Sequence, residues 1–173
     1  MVRTLVFILG LFLIASSIFA QADSSGCLSW LNIGGRFTPH DGLPYRNNFR
    51  HGGAQVSYNF GIGKMYGQVF ASMQGQPRNS KDEYEHAILG IGAGQRYARR
   101  YLMMAVFAGP AIHWNRYISF RNPSASYAGF QLTQQIIFLP IPEIGIGLEF
   151  MQNFNAFHSF ASYHFTISAC NWK

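Results

Sequence analysis

HAILGIGAGQRYARRYLMMAVFAGPAIHW, residues 86–114, holds two alternating arms with a short polar break between them. In the first arm Ala87, Leu89, Ile91 and Ala93 alternate with Ile88, Gly90, Gly92, Gly94 and Arg96, the period of two that a β-strand imposes on its side chains. In the second arm Leu102, Met104, Val106, Ala108, Ile112 and Trp114 alternate with Met103, Ala105, Phe107, Gly109, Ala111 and His113. Ala98, Arg99 and Arg100 are read as the connection. Each arm is about ten to fourteen residues long, more than a globular strand needs and close to the roughly 9–11 residues with which a tilted strand crosses a bilayer. The hairpin therefore predicts a membrane-spanning sheet.

Residues 1–22 read as a signal peptide: Arg3 supplies a positive start, Leu5 to Ala15 is apolar, and Ala20-Gln21-Ala22 fits the small-x-small cleavage rule. Cleavage there or after Ala20 leaves a chain of about 150 residues, the size of one domain, so residues 23–173 are assigned to a single unit. No other apolar stretch is long enough for a transmembrane helix. Charged residues make up 12% of the sequence, half the usual share of about 25% for a soluble domain. The formal charge of +6 falls mostly in the connections between strands and lacks the aromatic-interleaved basic pattern of a nucleic-acid binder, so no nucleic-acid partner is expected.

Beyond the signal, strand-like segments run over Cys27–Phe37, Ala54–Gly61, Met65–Met73, Glu85–Tyr97, Tyr101–Trp114, Tyr127–Phe138, Glu143–Met151 and His158–Ala169. The connections alternate too. Thr38–Gly53, Gln74–Tyr84, Asn115–Ser126 and Gln152–Phe157 are long or polar, whereas Ile62–Lys64, Ala98–Arg100 and Leu139–Pro142 are short. If the strands run up and down, every long loop falls at one end, as in outer-membrane barrels.

The polar face decides which side meets lipid. A soluble exterior carries many Lys and Glu residues, but this face consists of Gln55, Ser57, Asn59, Gln68, Ser72, Gln131, Thr133, Gln135, Ser162, Thr166 and several glycines. Such neutral groups can hydrogen-bond one another in the narrow, side-chain-filled interior of an eight-stranded barrel. The apolar face is then outward, with Tyr97 and Phe138 near the short-turn rim and Trp114 and Phe150 toward the loop rim. The fold class expected is all-β, an eight-stranded antiparallel up-and-down transmembrane β-barrel.

In this architecture the chain resembles the small eight-stranded outer-membrane barrels of the OmpX and OmpA transmembrane-domain type, over nearly all of residues 23–173. Gly90 to Tyr97 is a motif of that general kind, and the exported start ending in Ala-Gln is similar to those of Bacteroidota proteins. The chain departs from such barrels at its end, where Lys173 follows Trp172 in place of a terminal aromatic. The resemblance implies residence in the bacterial outer membrane, with outer-membrane lipid and lipopolysaccharide as neighbours.

Parity places Arg36, Arg96 and Glu149 inward, where charge is costly unless paired, so a structural ion-pair network is expected. His86, His113 and His164 also point inward, at scattered depths and without a short metal-ligand spacing, and are read as satisfied lumen histidines. No metal or cofactor is expected. Cys27 and Cys170 flank the first and last strands, which are neighbours in a closed barrel, and an exported protein can keep a disulfide between them. Strict alternation sends Cys27 outward and Cys170 inward, so the bond requires one of them to leave the regular strand.

The eight-stranded fold also hosts lipid A deacylases and palmitoyl transferases. His158 and Ser159 are a candidate base and nucleophile with Glu149 as orienter, but adjacent strand residues face opposite ways. Gln134 in mid-strand on the outward face and Pro110 in a central strand are explained by a local bulge, or else they mark a wall buried against another membrane protein. The loops bring Arg46, Arg50, Arg78, Lys81, Arg116 and Arg121 to one end, as solvated charge or as contacts to lipopolysaccharide phosphates.

The expected function is therefore that of a non-enzymatic outer-membrane barrel, an accessory subunit of a larger outer-membrane complex or an interaction and adhesion protein. The alternatives are a lipid A-modifying enzyme and a secreted soluble ligand-binding barrel.

Overall fold

Alternating side chains and tight turns give eight antiparallel strands: β1 Cys27–Thr38, β2 His51–Ile62, β3 Met65–Gly75, β4 Tyr84–Arg99, β5 Leu102–Tyr117, β6 Ala125–Ile141, β7 Ile144–Asn155 and β8 Phe160–Trp172. The structure, a computed structural model, describes residues 27–38, 51–75, 84–117, 125–155 and 160–172. Each strand pairs with its sequence neighbours, and β1 pairs with β8, so the sheet closes in strand order. Closure leaves no edge along the barrel wall. Residues 1–22, assigned to the signal, lie outside the described residues.

All three short connections are two-residue turns: Gly63-Lys64, Arg100-Tyr101 and Pro142-Glu143. Gly63 adopts φ of 60°, a left-handed conformation that a side chain disfavours. At the central hairpin the ladder continues to Arg99 opposite Leu102, so Ala98 and Arg99 belong to the strand and not to the turn expected there.

The ladder is staggered as it goes round. One inward row passes from Arg96 through Ala105, Gln135, Glu149, His164, Arg36, Gly53 and Gln74 and returns to β4 at His86, ten residues from where it began. That stagger tilts the strands by about 40° and draws the barrel narrow enough for side chains to fill it. It also means that residues level in the ladder climb from the short-turn rim toward the loop rim.

Close approach between β4 and β5 depends on glycine. A Cβ at Gly94 would meet the backbone oxygen of Val106, which has no room to yield. Gly94→Ala is therefore expected to lower stability by about 1–3 kcal/mol, the cost of overpacking, read as an earlier urea midpoint in detergent micelles.

Candidate functional site: the filled lumen and the outer wall

Alternation sorts the barrel into a polar inside and an apolar outside. Gln55, Ser57, Asn59, Gln68, Ser72, Gln131, Thr133, Gln135, Ser162 and Thr166, expected inward, are all buried. Outward residues are large and apolar, with Ile33 59%, Ile91 57%, Ile146 61%, Phe165 63% and Ile167 65% exposed. A water-soluble domain buries such side chains and not the glutamines, so the distribution is inverted.

Toward the short-turn rim the lumen is closed by an apolar plug of Trp30, Tyr66, Met103, Phe107, Ile137 and Leu139, with Cys27 among them. The Trp30 ring lies 5.7 Å from Tyr66 and 6.0 Å from Phe107, tying β1 to β3 and β5 across the barrel. Arg96 roofs this plug, its guanidinium 4.7 Å from the Tyr66 ring centre and 5.9 Å from that of Trp30, while Nη1 donates to the Cys27 carbonyl. Toward the loop rim a second cluster of Phe70, Ile88, Ala111 and Met151 packs with Phe160.

Between the plugs lies a hydrogen-bonded polar layer. Trp30 Nε1 donates to Gln135 Oε1 at 3.1 Å, and Gln135 Nε2 donates to Glu149 at 2.7 Å. Gln55 Nε2 donates to the other oxygen of the same carboxylate. Asn59 links Gln68 to the Trp30 carbonyl, and Ser168 donates to Asn32. Asn59, Gln135 and Glu149 in this layer are each at most 2% exposed.

Among the described residues, no contact joins Arg36, Arg96 and Glu149 to one another. Glu149 is held by two amides and approaches His164 Nδ1 at 3.8 Å, with no arginine contact. Arg96 turns instead to the plug, and Arg36 donates to Ser72 at 3.1 Å with its guanidinium 5.5 Å from the Phe160 ring centre. Arg36, Arg96 and Glu149 fall in one ladder row but on strands separated around the barrel, so sharing a row does not bring them together.

Two histidine arrangements escaped the sequence. His86 and His113, expected at scattered depths, stack with ring centroids 5.4 Å apart and nitrogens 3.2 Å apart, and His113 also stacks on Tyr127. The register that sets His113 opposite Ile88 makes His86 its diagonal neighbour. His164 Nε2 lies 2.8 Å from Ser162 Oγ and its Nδ1 faces Glu149, in the order of a nucleophile, base and acid relay. All three are at most 1% exposed. His158 and Ser159 lie outside the described residues. Among the described residues no three His, Cys, Asp or Glu side chains come together as a metal site.

Cys27 and Cys170 are unbonded thiols. A register shift between Cys27 and Ser29 turns Cys27 inward, against the alternation, and buries it in the plug with Cys170 packed beside that cluster. The irregularity expected of a cysteine there is thus present, while the sulfur–sulfur bond is not formed.

The outer wall carries features of its own. Arg99 and Arg100 lie over Tyr97 and Tyr101 at the short-turn rim, and Phe138 points outward near them. Trp114 points outward near the loop rim, whereas Phe150, expected there too, sits at mid-strand opposite Gln134. A shallow apolar groove of about 570 Å³ beside Trp114 is bounded by Ala54, Met73, Gly75 and Ala87. Arg46, Arg50, Arg78, Lys81 and Arg121 lie outside the described residues, and Arg116 falls on β5 near its loop end.

No family model matches the chain, and no curated protein does. Solved structures do. Ail, the attachment invasion locus protein of Yersinia pestis, superposes with a TM-score of 0.65 at 12% identity, covering 85% of this chain and 99% of that one. Neisserial surface protein A gives 0.63 at 7% identity over 84% of this chain and 97% of its own. The outer membrane protein OprG of Pseudomonas aeruginosa gives 0.60 at 5% identity over 88% and 100%. The fold is that of the small outer-membrane barrels. At these identities the likeness extends to the architecture and no further.

Proposed function

We propose that the chain is an integral, non-enzymatic protein of the bacterial outer membrane, exported by residues 1–22, that works as an accessory or interaction protein through its wall and extracellular loops. The inverted distribution carries this reading. Burying a buried-amide lumen inside an apolar exterior is favourable only where the exterior solvent is hydrocarbon. A soluble ligand-binding barrel would need the opposite surface and an open cavity. Ser162, His164 and Glu149 lie inside the filled lumen, away from the wall and rim where a lipid A-modifying enzyme would need its nucleophile, and against the candidate pair His158 and Ser159 stands their adjacency, which sends neighbouring strand side chains to opposite faces.

The wall groove beside Trp114 and the cationic loops suit lipopolysaccharide, with acyl chains against the former and phosphates against Arg46, Arg50, Arg78, Lys81, Arg116 and Arg121. Ail has been captured with the heparin analogue sucrose octasulfate, an anion met by a barrel of this architecture. Fractionation of cells producing the full chain should place it in the outer-membrane fraction, and the purified barrel should give no channel steps in a planar bilayer. Recovery in the aqueous phase, or ohmic conductance, would overturn the reading.

A further inference from the structure

Among the described residues of the short-turn rim, the exposed charges are Lys64, Arg99, Arg100 and Glu143, and only the two arginines are consecutive. Arg99 takes the outward face of β4, two residues beyond Tyr97. Its ladder partner Leu102 pairs in turn with Phe138, so the row that ends in Arg99 is otherwise apolar. Tyr101, Leu102 and Phe138 are all exposed beside it. Both arginines therefore stand where the apolar wall ends, while Arg96, on the inward face of the same strand, is committed to the plug.

Each guanidinium lies against a ring, that of Arg99 5.9 Å from the centre of Tyr97 and that of Arg100 4.9 Å from the centre of Tyr101. Among the described residues neither donates a hydrogen bond or pairs with a carboxylate. Glu143, the exposed carboxylate of this rim, belongs to the next hairpin. A guanidinium held against a ring keeps N–H donors open on its far edge, spaced to grip two oxygens of one phosphate. Tyrosines on a lipid-facing wall sit at headgroup level, so the rings hold these cations at the depth of lipid phosphodiesters. Short turns lie on the periplasmic side of such barrels, and the phosphates met there belong to the periplasmic leaflet.

We propose that the Arg99–Arg100 turn binds the headgroup of an anionic phospholipid, of the phosphatidylglycerol class, in the periplasmic leaflet. The inference rests on the outer-membrane reading above and concerns the rim opposite the long loops. Two adjacent guanidiniums against one phosphodiester leave a net positive charge. That charge favours a headgroup without a cation of its own, whereas phosphatidylethanolamine brings an ammonium to the same place. Tyr97, Tyr101 and Phe138 then meet the first carbons of its acyl chains.

The test reconstitutes the full chain in phosphatidylcholine vesicles and titrates in pyrene-labelled phosphatidylglycerol or phosphatidylethanolamine, read as energy transfer from tryptophan. Wild type should prefer phosphatidylglycerol, and Arg99→Gln and Arg100→Gln should each lower that preference roughly fivefold. Lys64→Gln, on the neighbouring turn, should keep it. Heat-modifiable migration in SDS gels checks that each variant has folded. Raising salt to about 1 M, where the Debye length is about 3 Å, should abolish the wild-type preference without any substitution. Inorganic phosphate at matched ionic strength should not displace the lipid. Displacement would make this a site for free phosphate, and an equal loss in Lys64→Gln would make it a property of the whole rim; either overturns the proposal. So does a preference that survives high salt or both arginine substitutions, or its absence in an inserted wild type, and each of these leaves the membrane reading standing. Failure of wild type to insert overturns both.

Discussion

Replacement of Trp30 by alanine is expected to cost the barrel about 3–5 kcal/mol, the range for removing a buried aromatic from a packed core. Trp30 is fully buried, and its ring spans from β1 to Tyr66 on β3 and Phe107 on β5. Its loss leaves a void between those rings, takes one of the two aromatic faces from beneath Arg96, and orphans the Gln135 oxygen that accepts its N–H. Trp30→Phe separates these effects, because it keeps most of the packing and removes only the donor, and it should cost about 1 kcal/mol. Urea titration in micelles, followed by tryptophan fluorescence from the remaining indoles and by gel migration, reads both variants. A loss below about 1 kcal/mol for Trp30→Ala would mean that the plug is not what holds the short-turn rim together.

Much of this was legible from the period of two. Alternation gave each strand its two faces, and the loop-length asymmetry paired the strands into an up-and-down barrel, because both are local properties. Cys27 escaped because one irregularity, between Cys27 and Ser29, reverses every side chain beyond it. The partners of Arg36, Arg96 and Glu149 escaped for a different reason. Parity says that a residue points inward but not which residue it meets across the lumen, which depends on the ten-residue stagger accumulated around all eight strands. The His86–His113 stack and the Ser162–His164–Glu149 alignment are set the same way, by hairpin registers that turn lengths decide. Strand ends were underestimated because Pro140 and Ile141 on β6 read as a connection, yet the edge of the ladder tolerates proline there.

Leu148→Arg is expected to destabilise the inserted barrel by about 2–4 kcal/mol, the cost of arginine on the lipid face near the bilayer midplane. Leu148 is 53% exposed, flanked in the ladder by Ile136 and Phe165, themselves 51% and 63% exposed. On the outside of a soluble barrel the same exposure would make the substitution nearly neutral, since surface changes away from special features usually stay within about 0.5 kcal/mol. One substitution therefore weighs the solvent itself. In vesicles the variant should unfold at lower denaturant concentration and insert less completely, while Lys64→Arg, in the exposed turn before β3, should match wild type. Equal stability of Leu148→Arg and wild type would mean that Leu148, Ile136 and Phe165 face water or a protein partner. The inverted distribution would then need an explanation other than lipid.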